Sequence, residues 1–424
     1  MQPLSLSAYR AATLAASPLA GALLSLRLNK GKEDSERLGE RRGMAGLARP
    51  DGPLIWLHGA SVGETVSLLP LVERLTQAGF NTLITSGTVT SARLMARRLP
   101  ARALHQFVPL DAPQFFRRFF RHWRPDLGLI AESEIWPNMI VEAARAKAPL
   151  VMVNARMSAR SFRRWSFAPK FARALLGRFE LVLAQTAPDA ERLGALGARA
   201  PQVIGNMKFD APAPPADRRE LAELSGLVSG RRLWIAASTH PGEERAAGEA
   251  HRRLFGDFPD LLTLIAPRHP ERGPEIAEEL GELGLACRLR SRGERPDRDA
   301  HVYICDTIGE LGLFYRLAGI VFTGKSLSSG GGQNPIEPAK LASAILHGPY
   351  VQNFADIYGP LDSEGGAAIV NDAAEMAASL GELFKNASRL RAMARIAADV
   401  VNRSGGAVER TLAAVAPHLE ALCE

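Results

Sequence analysis

The 424-residue chain is 46% apolar and 23% charged with ordinary Gly and Pro counts, so it can bury a large core and is neither disordered nor collagen-like. At roughly 150 residues per domain it should fold as two or three units. Lys and Arg number 52 against 45 Asp and Glu, a net +7, and three scattered cysteines without a CxxC pair speak against a disulfide framework or a zinc site.

The first element in chain order is apolar. Sixteen uncharged residues separate Arg10 from Arg27, rich in Ala and Leu and interrupted by Pro18 and Gly21. That is short of the roughly 20 a spanning helix needs, although Leu4 to Leu26 suffices if Arg10 snorkels. Only Arg10 precedes the stretch, whereas Arg27, Lys30, Lys32, Arg37, Arg41 and Arg42 follow it, which keeps the following chain in the cytoplasm. Residues 1–45 read as a membrane anchor or interfacial helix with a basic flank; a plain soluble helix and a cleaved signal peptide are the rivals.

From residue 53 short apolar runs alternate with helical stretches such as Glu64 to Gln77 and Pro137 to Ala146. The runs are LIWLHG (54–59), NTLITSG (81–87), LGLIAE (127–132), LVMVNAR (150–156) and LVLAQT (181–186). After the Pro-rich APAPPAD (211–217) a second series follows: LWIAAST (233–239), LLTLIAPR (261–268), VYICDT (302–307), GIVFTG (319–324), AILHG (344–348) and AAIVND (367–372). Continuous apolar strands between helices mean parallel sheets covered on both faces, hence an α/β chain of two Rossmann-like doubly wound halves. The expected boundaries are 46–210, a linker at 211–230, 231–400, and a terminal helix at 401–424. Ligands in such sheets bind beyond the carboxyl ends of the strands.

At those ends stand the residues with chemistry. HGASVGET puts Ser61, Gly63 and Glu64 at a turn into a helix, where an acid also simply favours the helix dipole. AESEIWPN carries Glu132 and Glu134 two apart, on one face if extended, before a helix that starts at Pro137; one could be a general base, or both mere helix-start acids. In the second half, STHPGEE offers Ser238, Thr239 and His240 to an anion, and APRHPER crowds Arg268, His269 and Arg272 where guanidinium groups suit a phosphate, unless the loop is only solvated. CDTIGEL sets Gly309 and Glu310 at a strand-to-helix junction. SLSSGGGQNPIEPA (326–339) runs three glycines into Asn334, Pro335 and a helix start; its N–H groups suit phosphates and Glu337 suits ribose hydroxyls. It lacks the P-loop and GxGxxG patterns, which weakens ATPase and NAD-oxidoreductase readings.

In register, GASVGE, TSGTVTSA, ESEIWPN, VNARMSARS, GNMKFD, STHPGEE, APRHPER, DTIGEL and GGGQNPIEPA resemble the 3-deoxy-D-manno-octulosonic acid (Kdo) transferases over nearly the whole chain. The resemblance implies a GT-B fold, with two Rossmann-like domains facing a cleft. It implies an inverting transfer of Kdo from CMP-Kdo to the lipid A precursor at the cytoplasmic face of the inner membrane, without metal or cofactor. It makes Glu64 the general base and Glu134 a second acid, with Ser61, Gly63 and Arg156 on the acceptor side. On the donor side it implies Ser238, Thr239, His240, Pro267, Arg268, Ile308, Gly309, Glu310, Gly331, Gly332, Asn334, Pro335, Ile336 and Glu337. Two departures stand out: Lys325 occupies a position where many relatives have Gly, a change near the sugar carboxylate or phosphate, and Gly59 one where many have Ala or Ser, expected to be sterically neutral.

A nucleotide-sugar 2-epimerase shares such a fold but needs neither the apolar N-terminus nor an Arg-rich half. A nucleic-acid-binding protein would use aromatics interleaved with basic residues, as Phe115, Phe116, Phe119, Phe120 and Trp123 are with Arg117, Arg118, Arg121 and Arg124. Their spacing of three and four fits an amphipathic helix better. The charge is also local: residues 1–50, 93–126 and 156–178 together carry +17, leaving −10 elsewhere. A diphosphorylated lipid acceptor in an anionic leaflet accounts for that split without nucleic acid.

Overall fold

The structure is a computed structural model that describes residues 3–328 and 330–423; Ser329, inside the Gly-rich stretch, lies outside the described residues. Among the described residues fourteen strands form in chain order: β1 (Leu54–His58), β2 (Asn81–Ser86), β3 (Ala103–Phe107), β4 (Leu127–Ala131), β5 (Leu150–Ala155), β6 (Leu181–Ala184), β7 (Gln202–Val203), β8 (Arg232–Thr239), β9 (Leu261–Pro267), β10 (Cys287–Leu289), β11 (Val302–Ile304), β12 (Ile320–Thr323), β13 (Ala344–His347) and β14 (Ala367–Ile369). They make two seven-stranded sheets, β3-β2-β1-β4-β5-β6-β7 and β10-β11-β9-β8-β12-β13-β14. All pairs are parallel. Strand order reverses between β1 and β4 in the first sheet and between β8 and β12 in the second, the two switch points where such sheets take ligands.

The central strands are apolar because both faces are covered: every residue of β1, β4, β5 and β9 is buried. Each sheet's first strand carries a fully buried tryptophan whose indole N–H donates to a threonine on the next strand. Trp56 reaches Thr85 Oγ1 at 2.9 Å and Trp234 reaches Thr263 Oγ1 at 2.8 Å, so neither aromatic buries an unmatched donor. Trp56 fills the space over Gly128, where a Cβ would lie 3.0 Å from its ring and 2.6 Å from Leu150.

The chain divides into Met1–Ala211 with Gly405–Glu424, and Pro212–Ser404. The helix Ala407–Glu420 thus belongs to the first unit, where Val408 and Val415 pack in one cluster with Leu69 and Val72. The Asp210 carboxylate accepts the Val408 N–H at 2.6 Å and the Gly406 N–H, capping that helix from the far side of the second unit in sequence. Residues 211–230, read from sequence as a linker, contain the helix Arg218–Leu227, capped by Asp217 and with Leu224 buried.

The N-terminal segment is helical over Leu4–Ala16 and Ala20–Asn29, with one 3-10 turn between them at Pro18. As one helix it is long and apolar enough to cross a membrane, and little of it is buried. Leu4, Leu19 and Leu26 are more than half exposed. Arg10 does not snorkel: it is buried, donating to Asn138 Oδ1 at 3.2 Å and to Glu142. Tyr9 donates to Asp111 at 2.9 Å and Asn138 donates to Thr13 at 3.0 Å, so a polar stripe docks this helix on the first unit. The aromatic and basic run forms the helix Pro113–Trp123, whose five aromatics are all buried while Arg117, Arg118 and Arg121 are exposed. Rings consumed by the core are no platform for stacking bases.

Candidate active site

In the first unit the residues singled out by sequence gather beside the β1/β4 switch point. Ser61 caps the helix Val62–Gln77, its Oγ accepting the Glu64 N–H at 3.3 Å and donating to Glu64 Oε1 at 2.6 Å. The other carboxylate oxygen accepts the Ala60 N–H at 2.8 Å. This is a capping box drawn one residue further back, so Glu64 does serve the helix start. It is also held in one rotamer at a strand end. Burial raises its pKa above the ordinary carboxylate value; the Ser61 hydrogen bond opposes that, and the charges of Glu134 and Glu132 add to it. The result is a fixed carboxylate more basic than one in water.

Gly59 packs directly against the stem of Glu64, and the expectation of steric neutrality there is overturned. A Cβ at Gly59 would sit 2.9 Å from Glu64 Cβ and 3.1 Å from Thr65 N. Gly63, by contrast, has open space.

Glu132 and Glu134 do not share an extended face. Glu132 turns left-handed at φ 50°, and its carboxylate pairs with Lys208 Nζ at 2.7 Å. Glu134 accepts the Trp136 indole N–H at 2.6 Å and stands 3.8 Å from Nε2 of the fully buried His58. Burial pushes the Glu134 carboxyl up, but His58 and Trp136 together hold it below its ordinary value. The two neighbouring acids are thus tuned apart, Glu64 towards accepting a proton and Glu134 towards staying charged. The Arg156 N–H reaches the Glu132 carbonyl at 3.5 Å, which places Arg156 at the same strand ends.

In the second unit, β8 ends at Ser238, left-handed at φ 56°, Thr239 and His240; β9 ends at Pro267, with Arg268 following. The Arg268 N–H donates to the Thr239 carbonyl at 3.0 Å, tying the two loops, and its side chain is exposed. Arg272 does not join it: its guanidinium binds buried Glu244 at 2.8 Å. Burial lowers the His240 pKa; Glu243 opposes this, and the Lys325, His269 and Arg268 charges reinforce it.

Past β11, Ile308 is 84% exposed and Gly309 is left-handed at φ 91°. The Glu310 carboxylate is already engaged: Arg290 grips it through two N–H groups at 2.5 and 2.6 Å, and Thr307 donates to it. Those contacts, the Arg290 hydrogen bond foremost, hold the Glu310 pKa below its ordinary value. What this loop offers a ligand is its backbone and Ile308.

In the Gly-rich loop Gly331 and Gly332 are left-handed at φ 87° and 79°, and a Cβ on Gly331 would strike the Asn353 amide at 2.5 Å. Asn334 caps the following turn through Ile336 N at 3.1 Å, with Pro335 at the N-cap. The helix that carries Glu337 runs only from Ile336 to Lys340, five residues, so its dipole is small and the loop's own N–H groups are the donors on offer. Among the described residues no group of three or more His, Cys, Asp or Glu side chains converges as metal ligands would.

Sequence reasoning missed His58, Lys208 and Glu243. Lys208 stands in GNMKFD, one of the aligned motifs, but its pairing with Glu132 spans 76 residues. Glu243 looks like a helix-start acid. Instead its carboxylate, 1% exposed, accepts four backbone N–H groups: His240 at 2.9 Å, Lys325 at 2.7 Å, Ser326 at 2.8 Å and Leu327 at 3.0 Å. It fastens the loop after β12 to the loop after β8.

Residues 36–211 match the family model described as 3-deoxy-D-manno-octulosonic-acid transferase (kdotransferase). The chain is 32% identical over 419 residues to the 3-deoxy-D-manno-octulosonic acid transferase of Haemophilus influenzae, covering 97% of this chain and 98% of that one. It is 35% identical over 390 residues to the enzyme of the same name from Bordetella pertussis, covering 88% and 90%. Among solved structures it is similar to UDP-GlcNAc 2-epimerase from Neisseria meningitidis bound to UDP-GlcNAc, with a TM-score of 0.59 over 85% of this chain and all of that one. At 13% identity that likeness shows the fold alone, two Rossmann-like units of GT-B type.

Proposed function

The chain belongs to the 3-deoxy-D-manno-octulosonic acid (Kdo) transferase family and is a glycosyltransferase, and we propose that it transfers Kdo from CMP-Kdo to a lipid A precursor at the cytoplasmic face of the inner membrane. The observation that carries the reading is the Glu64 carboxylate, fixed at the β1 end by Ser61 and Ala60 with its basicity raised. The acceptor hydroxyl gives its proton to Glu64 as its oxygen bonds to the anomeric carbon of Kdo. The bond from that carbon to the CMP phosphate breaks, and its electron pair leaves with CMP. A good leaving group makes one base sufficient, and attack opposite the leaving phosphate inverts the centre in one step. Arg268 and the N–H groups of the Gly-rich loop offset the charge that grows on CMP.

The docked apolar helix and the exposed Arg163 and Arg164 support an acceptor in an anionic lipid leaflet. The epimerase reading keeps a shared fold and nothing more specific. The test is acceptor-dependent CMP release from CMP-Kdo with lipid A precursor, comparing wild type with Glu64→Ala. Unchanged turnover in the variant removes Glu64 as the base, and no acceptor-dependent release by the wild type removes the function.

A further inference from the structure

Eight described non-glycine residues are left-handed, and four of them stand at or just past the carboxyl ends of strands: Glu132, Asn154, Ser238 and Lys325. Asn visits this region with little penalty, whereas for a long side chain such as lysine it is strained. Lys325 follows β12, at the switch point of the second sheet, with φ 58°. The surroundings are built to keep it there. Its N–H and the next two donate to buried Glu243, and its carbonyl accepts the Gly332 N–H at 2.7 Å. Its side-chain stem lies over Gly330, where a Cβ would come within 2.4 Å of Lys325 Cγ. A strained conformation so thoroughly fixed calls for a use.

The position of the charge suggests that use. The ammonium acts on the His240 imidazole together with the charges of His269 and Arg268, and the His240 and His269 rings lie 6.0 Å apart. Of the two acids beside them, Glu243 is saturated by backbone N–H groups, and the exposed Glu271 stands 3.6 Å from His269 Nδ1. Among the described residues neither Lys325 nor Arg268 forms an ion pair with a carboxylate. Lys325 and Arg268 therefore stand past the ends of β12 and β9 without a carboxylate partner among the described residues, whereas His269 has Glu271.

We infer that Lys325 is a specificity-determining ligand for an anionic group of the donor, held in its left-handed conformation by Glu243 so that its ammonium faces that group beside His240 and Arg268. The inference rests on the donor reading proposed above. The donor carries two anions, the phosphate of CMP and the carboxylate of the sugar, and either meets an ammonium equally well.

The test uses Lys325→Gly and Lys325→Gln in the full chain. Glycine accepts φ 58° freely, so Lys325→Gly should melt at the wild-type temperature or above it while the KM for CMP-Kdo rises at least tenfold and kcat changes far less. Lys325→Gln keeps the stem and loses the charge, and should show the same KM effect without the gain in melting temperature. Calorimetric titration of CMP alone separates the two anions. Equal weakening of CMP and CMP-Kdo assigns the phosphate, and weakening of CMP-Kdo alone assigns the carboxylate. A KM within twofold of wild type in both variants overturns the inference. A wild type that binds CMP but transfers nothing from CMP-Kdo instead overturns the donor reading.

Discussion

Gly59→Ala is a small substitution whose cost can be worked from the geometry. The new methyl would stand 2.9 Å from Glu64 Cβ and 3.1 Å from Thr65 N, with no flexible side-chain end to yield. Ordinary carbon contacts lie at about 3.5–4.0 Å, so the start of the helix Val62–Gln77 must withdraw by roughly 0.6–1 Å. Overpacking of this kind costs about 1–3 kcal/mol. At about 2–4 °C per kcal/mol for a unit of this size, the melting temperature should fall by roughly 2–12 °C. The helix start carries Glu64, and a displacement of about 1 Å at a reacting group costs on the order of 100-fold in rate. Gly63→Ala is the control, since that position is open and alanine favours a helix over glycine by about 0.8–1 kcal/mol. It should melt slightly higher, with any effect on turnover confined to the acceptor KM. The readouts are thermal melting and acceptor-dependent CMP release. Wild-type melting and turnover in Gly59→Ala would refute the steric argument. Equal rate losses in both variants would show that any added bulk at this turn is harmful and that the contact with Glu64 is not the cause.

Glu64→Gln keeps a hydrogen-bond acceptor at the cap and loses the base, so kcat should drop by about 10²–10⁴ with little change in melting temperature. Ser61→Ala should lose about 1 kcal/mol of cap and, with one of the two bonds that fix Glu64 gone, lower turnover by less than Glu64→Gln does. Because the folded state raises the Glu64 pKa, its contribution to stability declines as pH rises from the unfolded value through the folded one. Glu64→Gln should therefore compare better with wild type at neutral pH than at about pH 4 in thermal melts. Glu142→Ala strips the buried Arg10 of its carboxylate, a loss of about 3–5 kcal/mol, and should free the N-terminal helix for tryptic cleavage at Arg10. Reversing the exposed Arg163 and Arg164 to Glu should weaken binding of the lipid acceptor while leaving CMP titrations unchanged. Glu310, held low by Arg290, contributes stability that is present above the unfolded carboxylate pKa of about 4 and lost as pH falls through the folded value. Melting of the wild type should then fall more steeply with acid than that of Glu310→Gln.

The interior of both sheets was legible because strands covered on two faces must be apolar throughout. All eleven apolar runs are strands, ten of them inside the sheets and one, β14, at an edge. The three that escaped, β3, β7 and β10, are all sheet edges. An edge is covered incompletely, and ALHQF, QV and CRL carry the polar residues that such a position tolerates. At the candidate site the strand-end rule located Glu64, Glu134 and Arg268 without three-dimensional information. It could not show that Glu132 and Glu134 part company, because the left-handed turn at Glu132 is stabilised by partners far away in sequence. Nor could it distinguish Arg268 from Arg272, four residues apart, since the buried acid that claims Arg272 lies on another helix. The Glu243 clamp was hidden for the same reason: three of its four N–H partners are 82 to 84 residues downstream.

The placement of Gly405–Glu424 in the first unit has a consequence for synthesis on the ribosome. Residues emerge in order, and the first unit lacks Val408 and Val415 in its core, and the partners of Asp210, until all of Pro212–Ser404 has been translated. The second unit, contiguous in sequence, has every contact it needs before the first is complete. Translation therefore imposes an order on maturation that the numbering conceals. The segment that begins first is sealed last, and a chain stopped at Ser404 leaves the first unit's core unfinished.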